Sequence, residues 1–244
     1  MNTDILINYL QRNRTSLSQE IYKEEASFKG YDRFSTIELP KPLSLHFALQ
    51  DALSRRTSNR DYSKKPLNLE QISTFLFWSA GVLKNGDVDS ASSRPHPSGG
   101  AKYPLELYLL ILNGDGVEPG VYHYNIQNHT LEHLHVVDLK ETLSHFEETD
   151  DYALDSGMII LFSFIKTRNM GKYGSLAYKL SFIESGCIMQ NMYLLSAALG
   201  IGCCGMGLST APNFNESLKL DGINESIFSG FAVGNIKSNH AEGK

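Results

Sequence analysis

The chain has 244 residues, a formal net charge of −5 and three cysteines. This length can bury one full hydrophobic core, and we favour one large domain over two small ones. The negative charge and the absence of long basic runs argue against nucleic acid as a partner. Three cysteines form no disulfide framework, and the N-terminus lacks the basic start and long apolar core of a signal peptide, so we expect a cytoplasmic protein.

The N-terminal part of the chain is mixed and polar. We expect residues 1–42 to form an arm with short helices over 4–11 and 17–26, and residues 43–244 to form the single domain. The turn-prone sequence Leu-Pro-Lys-Pro separates the two.

Two helices are predicted at the start of the domain. Apolar residues at helical spacing predict an amphipathic helix over 44–56. A second helix should begin after Asn68, because Asn68 is a good N-cap and Gln71 occupies the capping-box position. This helix should end at Gly81 and bury its apolar face.

Strands and one long loop follow. Residues 84–104 have the composition of a loop, and its length indicates that it binds something. Almost wholly apolar runs predict buried strands, and short alternating runs predict a hairpin. The predicted strands cover 105–112, 121–124, 131–136, 158–165, 203–208 and 227–233, with a helix over 139–148 and a loop over 167–174. Long helices and scattered strands without βαβ regularity predict an α+β sandwich with one mixed or mostly antiparallel sheet.

The stretch over 181–207 is the least polar in the chain. Apolar residues occupy every side at helical spacing, so we predict a long buried helix that ends at Gly200. The glycines that follow predict a turn whose backbone comes close to a ligand. A membrane span is the alternative, but the polar residues Glu184, Gln190 and Asn191 argue against it.

A cluster of polar and basic residues follows the first predicted helix. Arg56 and Arg60 flank Ser58, and guanidinium forks with a hydroxyl suit a phosphate monoester. The alternative is a solvated basic helix end, which is common because cations favour helix C-termini.

Several motifs taken together resemble the nitroreductase superfamily of flavin enzymes, most closely its SagB-type azoline dehydrogenases. The resemblance covers roughly residues 45–236. The matching segments are RRTSNRDY (55–62), LEQISTFLFWSAG (69–81), PSGGAKYPLELY (97–108), PGVYHY (119–124), KYGSLAYK (172–179) and ESGCIMQNMYLLSAALGIG (184–202). The hairpin around PGVYHY favours the azoline-dehydrogenase branch, which carries it.

The resemblance implies an FMN-binding homodimer and assigns residues to the flavin. Arg56, Ser58 and Arg60 would hold the phosphate and ribityl chain. The flavin ring would be approached by two further sets, namely Pro97, Ser98 and Gly99 across the dimer interface, and Gly202, Cys203, Cys204 and Gly205. The chain departs from the family at Lys102 and Lys179, and Lys237 is a weak substitute for an arginine that many nitroreductases place on the phosphate.

The resemblance also implies a reaction. Lys172 and Tyr173 are similar to the lysine–tyrosine pair that azoline dehydrogenases place beside the flavin for proton abstraction. A lysine that loses solvent there becomes a better base near neutral pH. The expected substrate is a thiazoline or oxazoline in a peptide or small molecule. Two alternatives stay open: an NAD(P)H-dependent nitro or quinone reductase, and an inactive flavin-binding subunit of a modification complex.

Other polar residues receive less weight. The histidines at 129, 133 and 135 lack a completing cysteine or carboxylate, so we expect surface residues and no metal. We expect His96 to be exposed in the predicted loop. Cys203 and Cys204 fit packing better than catalysis, since no histidine is near them in the sequence. Glu184, Gln190 and Asn191 should be buried and must find partners.

Overall fold

The computed structural model of the chain describes residues 28–83, 93–208 and 211–237. The helices predicted over 4–11 and 17–26, and residues 84–92 of the predicted loop, lie outside these residues. The strands within the described ranges are β1 (Thr36–Glu38), β2 (Leu67–Asn68), β3 (Leu105–Ile111), β4 (Gly114–Asp115), β5 (Gly120–Asn125), β6 (Thr130–His133), β7 (Met158–Ile165), β8 (Ile201–Met206) and β9 (Glu225–Asn235).

Within the described residues, six α-helices and three 3-10 turns connect the strands. The helices are α1 (Leu49–Arg55), α2 (Leu69–Ala80), α3 (Leu139–Leu143), α4 (Met170–Tyr173), α5 (Leu176–Leu199) and α6 (Ala211–Ser217). The 3-10 turns cover Gly99–Ala101, Glu148–Asp155 and Lys166–Arg168.

One antiparallel sheet organises the fold. Seven strands pair in the order β1-β6-β5-β3-β7-β9-β8, and β2 and β4 form a separate parallel pair. Every residue of β3 and β7 is buried, because core clusters cover both faces of the sheet. The predicted α+β class with a central, mostly antiparallel sheet is confirmed. The strand β1 lies within the predicted arm and pairs with β6, and the arm boundary at residue 42 stays a prediction.

The second helix forms as predicted. The Asn68 side chain accepts from the Gln71 backbone N–H, and the Gln71 side chain accepts from the Asn68 N–H, so the capping box is complete. The first helix is shorter than predicted and begins at Leu49. The backbone of Leu43 instead binds side chains of α2, since its N–H donates to Thr74 and its carbonyl accepts from Trp78.

The long helix α5 begins at Leu176 and ends at Gly200, whose φ of +66° is left-handed. The prediction that no face of this helix is exposed is wrong. The side chains of Phe182 and Ile183 are 58% and 57% exposed, and Gln190 is also exposed. One side of α5 packs on α2 and β8. On the other side, Phe182 and Ile183 stay more than half exposed among the described residues, although the Phe182 ring lies 5.3 Å from the Phe228 ring. None of the helices in the described ranges is long and apolar enough to cross a membrane.

Three local predictions are corrected. The stretch after Gly200 forms the strand β8, which pairs with β9 and overlaps the strand predicted over 203–208, so the turn predicted for its glycines is wrong. The predicted loop over 167–174 contains a 3-10 turn and the helix α4. The helix that begins after Asp138 ends at Leu143, and a 3-10 turn begins at Glu148.

Candidate active site

The segment after α1 carries Arg56 and Ser58 to the end of α5. The Arg56 guanidinium lies 5.3 Å from the ring centroid of Tyr193. A hydrogen bond of 3.2 Å joins Ser58 Oγ and Tyr193 Oη, which also accepts from the Gly205 N–H at 2.9 Å. The structure therefore brings Arg56, Ser58 and Gly205 together around Tyr193. The sequence reading missed Tyr193, because one tyrosine on an apolar helix gives no signal of its own.

Arg60 points elsewhere. Its guanidinium lies 5.1 Å from the ring centroid of Tyr152. Lys237, the weak substitute for a phosphate-binding arginine, forms an ion pair with Asp61 on the surface. The assignment of Arg60 to the phosphate stays a prediction.

The strand β8 presents its residues to alternate faces of the sheet. Cys203 and Gly205 face α5, where Gly205 meets Tyr193 and Cys203 joins the core. Gly202 and Cys204 consequently face the other way. A methyl group added at Gly202 would lie 2.6 Å from the Ile236 side chain, so the absence of a side chain at Gly202 allows Ile236 to pack against β8. The side-chain positions of these four residues, 202 to 205, therefore cannot all face one ligand. Contact of β8 with a flavin stays a prediction.

The two cysteines of β8 are buried. Burial raises the pKa of the Cys203 thiol to about 12, so little thiolate forms at neutral pH. This agrees with a packing role for Cys203. All three cysteines of the chain are free thiols.

A second group of predicted residues lies on a tight turn before β3. Ser98 Oγ accepts a hydrogen bond from the Tyr103 N–H at 2.8 Å. Gly99 packs against α5, because a methyl group added there would lie 3.0 Å from a Leu180 methyl. Gly100, Ala101 and Tyr103 all have positive φ, at +64°, +54° and +44°. Pro97, Ser98 and Gly99 thus lead into a strained turn against α5.

The predicted pair Lys172 and Tyr173 reaches the same turn from α4. A methyl group added at Gly100 would overlap the Tyr173 hydroxyl and lie 2.9 Å from Lys172 Nζ. The Lys172 Nζ lies 5.3 Å from the Tyr173 ring centroid. Lys172 is exposed in the subunit and Tyr173 is half-buried. Two motifs far apart in the sequence therefore meet at Gly100.

His96 is buried, at 3% exposure, and the prediction of an exposed residue is wrong. Its Nδ1 lies 3.3 Å from the Ser79 carbonyl oxygen, and its Nε2 lies 3.5 Å from Glu184 Oε1. Asn191 donates to the carbonyls of Ser79 and Pro95. Asn191 thus finds its partners in the loop before Pro97 and in α2, which anchors the start of the turn. Among the described residues, Glu184 Oε1 approaches His96 Nε2 but makes no hydrogen bond.

The histidines of the hairpin are not all on the surface. His129 is half-buried between the Tyr124 and Ser73 hydroxyls, at 2.8 Å from each. His133 stacks on Tyr122, and His135 is exposed. Across residues 28–83, 93–208 and 211–237, no group of three histidine, cysteine or carboxylate side chains is arranged to hold a metal ion.

Two curated relatives match over most of the chain. A Methanocaldococcus jannaschii protein named as a nitroreductase is 29% identical over 185 residues, which are 76% of this chain and 91% of that protein. The trifolitoxin-processing protein TfxB of Rhizobium leguminosarum bv. trifolii is 30% identical over 189 residues, which are 71% of this chain. The chain spans about half the length of TfxB, 49%.

Solved structures share the fold. The Escherichia coli microcin synthetase McbBCD complex with truncated pro-MccB17 bound contains a chain with a TM-score of 0.64 and 18% identity, over 96% of this chain and 93% of that chain. A Desulfovibrio desulfuricans structure described as a nitroreductase in complex with FMN has a TM-score of 0.55 and 16% identity, over 82% and 92% of the two chains. The model of the nitroreductase family matches residues 53–235, and the chain therefore belongs to the nitroreductase family of flavin oxidoreductases.

Proposed function

We propose that this protein is an FMN-dependent dehydrogenase that oxidises thiazoline or oxazoline rings to azoles in a peptide or peptide-like product. The observation that carries the proposal is the meeting of Lys172 Nζ and the Tyr173 hydroxyl at Gly100, beside the Pro97–Gly99 segment. The likeness to a trifolitoxin-processing protein, and to a chain of a microcin synthetase complex that holds a pro-microcin, supports a peptide substrate.

The residues around Tyr193 fit an FMN phosphate. Arg56 is half-buried, and within the part of the chain that the structure describes no carboxylate forms an ion pair with it. Its guanidinium lies 5.3 Å from the ring centroid of Tyr193, whose hydroxyl is hydrogen-bonded to Ser58 Oγ. An unpaired guanidinium with hydroxyls suits an anion that brings its own charge. Bound FMN would supply the acceptor for a hydride.

The chain's own residues would handle the proton. Azoline oxidation removes a proton from the ring carbon next to a carbonyl and a hydride from the adjacent ring carbon. We assign the proton to the Lys172 amine as general base, with the Tyr173 hydroxyl next to it as a donor or relay. Lys172 is exposed in the subunit, so this role requires that substrate, flavin and a second subunit exclude water from it.

A synthetic peptide that carries one thiazoline provides the first test. Incubation with the FMN-loaded protein in air should remove two hydrogen atoms from the ring, as measured by mass spectrometry, and should yield the thiazole. A peptide recovered unchanged, from a protein that holds flavin, would contradict the proposal.

An NAD(P)H-dependent nitro or quinone reductase is the second candidate. The M. jannaschii relative named as a nitroreductase favours it, because the match covers 91% of that protein. A catalytically inactive flavin-binding subunit of a modification complex is the third, favoured by the likeness to one chain of a synthetase complex. Reduction of nitro compounds with NADPH identifies the second, and failure of both reactions by a yellow protein identifies the third.

We also propose a homodimer. The exposed aromatic and aliphatic side chains on α5 include Tyr178, Phe182 and Ile183. An apolar helix face of this kind is typical of a protein–protein interface. Sedimentation velocity at micromolar concentration should give twice the chain mass, and a stable flavin-loaded monomer would contradict the prediction.

The substitution Gly100→Ala should displace Lys172 and Tyr173. Gly100 and Gly200 have nearly the same left-handed φ, +64° and +66°, but only Gly100 has side chains of other residues within 4 Å. Each alanine variant should lose about 1 kcal/mol of stability from backbone strain. Only Gly100→Ala should displace Tyr173 and Lys172, and its turnover should fall by about 10- to 100-fold. Thermal unfolding and turnover of both variants are the measurements, and equal turnover in the two would contradict contact at Gly100.

A further inference from the structure

The turn that faces Lys172 and Tyr173 has an unusual backbone. Ala101 and Tyr103 adopt positive φ although neither is glycine, and both flank Lys102 within one short turn. Such conformations are uncommon for residues with a Cβ, and they persist only where surrounding groups hold them. The turn therefore needs specific contacts to keep it against the pair.

Arg168 supplies such a contact. Its Nη1 donates to the Tyr103 carbonyl at 2.9 Å, and its Nη2 lies 2.6 Å from Glu106 Oε1. Arg168 is 3% exposed and ends the 3-10 turn that leads into α4, the helix of Lys172 and Tyr173. One planar guanidinium thus joins the strained turn to the segment that carries the pair.

Glu106, the carboxylate partner of that guanidinium, belongs to a row of buried ionisable side chains. Glu106 Oε2 lies 2.9 Å from His123 Nε2, and His123 Nδ1 lies 2.7 Å from Glu132 Oε2. These three residues stand on the neighbouring strands β3, β5 and β6. Burial opposes ionisation of Glu106, but Arg168 and His123 outweigh it and hold the pKa of Glu106 at about 2. Burial alone would lower the pKa of His123, but the carboxylates of Glu106 and Glu132 outweigh burial, and the pKa of His123 is raised. Arg168 therefore always faces a carboxylate anchored in the sheet.

We propose that Arg168 is a positioning residue, which holds the Pro97–Tyr103 turn in its left-handed conformation against Lys172 and Tyr173 through its bond to the Tyr103 carbonyl. The inference rests on the proposed function, because it takes Lys172 and Tyr173 as the reacting pair. Arg94 assists by stacking on the Tyr103 ring, with 4.2 Å between its guanidinium carbon and the ring centroid.

The test compares Arg168→Lys with His123→Gln in the full-length, FMN-loaded protein. Lysine keeps a positive charge for Glu106 but lacks the fork that reaches both partners. His123→Gln removes the imidazole from the same buried row and leaves the side chains of Arg168 and Glu106 and the Tyr103 carbonyl in place. Amide hydrogen exchange is measured over residues 98–103 and 170–173, together with kcat and KM for the thiazoline peptide.

The expected result is faster exchange confined to those two segments in Arg168→Lys, and not in His123→Gln. In Arg168→Lys the kcat should fall by about 10- to 100-fold, with KM nearly unchanged, as is typical of misplaced catalytic groups. If Arg168→Lys fails to fold, the double variant Arg168→Met with Glu106→Gln removes both charges and is measured in its place. Unchanged exchange in both segments, or exchange that rises equally throughout the protein, would overturn the proposal. The exchange result is independent of substrate, so a parent protein that oxidises no azoline contradicts the proposed function and not the role of Arg168.

Discussion

Replacement of Lys172 by alanine should leave FMN binding intact and remove azoline oxidation. The residues that we assign to the phosphate lie around Tyr193, whereas Lys172 lies at Gly100 on another segment. Loss of a general base costs about two to four powers of ten in rate. We therefore expect kcat for the thiazoline peptide to fall by that amount while the visible flavin spectrum is unchanged. Turnover of the peptide and absorbance of the same preparation are the measurements.

Lys140→Ala is the control for Lys172→Ala. Lys140 is also exposed, and it lies on a different helix, α3. Its loss should change azoline oxidation little, since surface substitutions are usually near neutral. Nitro reduction deprotonates no carbon acid, so any NADPH-dependent nitro reduction should survive in Lys172→Ala. An azoline rate equal to that of the parent would remove Lys172 from the mechanism.

Replacement of Arg56 by alanine should weaken FMN binding. The guanidinium lies over the ring of Tyr193, whose hydroxyl is hydrogen-bonded to Ser58. A lost charge-assisted hydrogen bond to phosphate costs about 1.5 to 3 kcal/mol. The Kd for FMN should rise by about 10- to 100-fold, and the protein should purify pale. Titration of the apoprotein with FMN measures the change directly.

Arg55→Ala controls for the loss of one positive charge from the end of α1. The Arg55 guanidinium lies over the ring of Phe47, 5.4 Å from its centroid, and away from Tyr193. FMN affinity should be nearly unchanged in this variant. Equal weakening in both variants would mean that only the general charge of the segment matters. Full flavin occupancy of Arg56→Ala after gel filtration would show that the phosphate lies elsewhere.

Elements with strong local signals could be predicted from the sequence. The reciprocal capping box of Asn68 and Gln71 lies within four consecutive residues, so this short motif alone predicts the start of α2. The run over 158–165 is apolar at nearly every position, which suits only a strand covered on both faces, and β7 has those bounds. Gly200 ends α5 because its left-handed φ is accessible to glycine at little cost.

Features that depend on distant contacts could not be predicted. The glycines after Gly200 indicate a turn locally, and only the pairing with β9 shows that the strand predicted over 203–208 begins at Ile201. His96 is polar and lies in a polar loop, yet Glu184 on α5 and the Ser79 carbonyl on α2 bury it. Arg168 gives no signal in the sequence, because its partners Tyr103 and Glu106 come from another segment. The resemblance assigns Pro97–Gly99 and the pair Lys172 and Tyr173 to a flavin site, but the contact of Gly100 with that pair within one subunit needed the structure.

The half-reaction of the bound flavin in the absence of oxygen tests the central claim most directly. The FMN-loaded protein is mixed with the thiazoline peptide under argon, and the visible flavin bands and the peptide mass are followed together. We predict that the bands bleach and that one thiazole forms for each flavin reduced. Bands that bleach with NADPH but not with the thiazoline peptide, or a colourless protein that takes up no added FMN, would contradict the account.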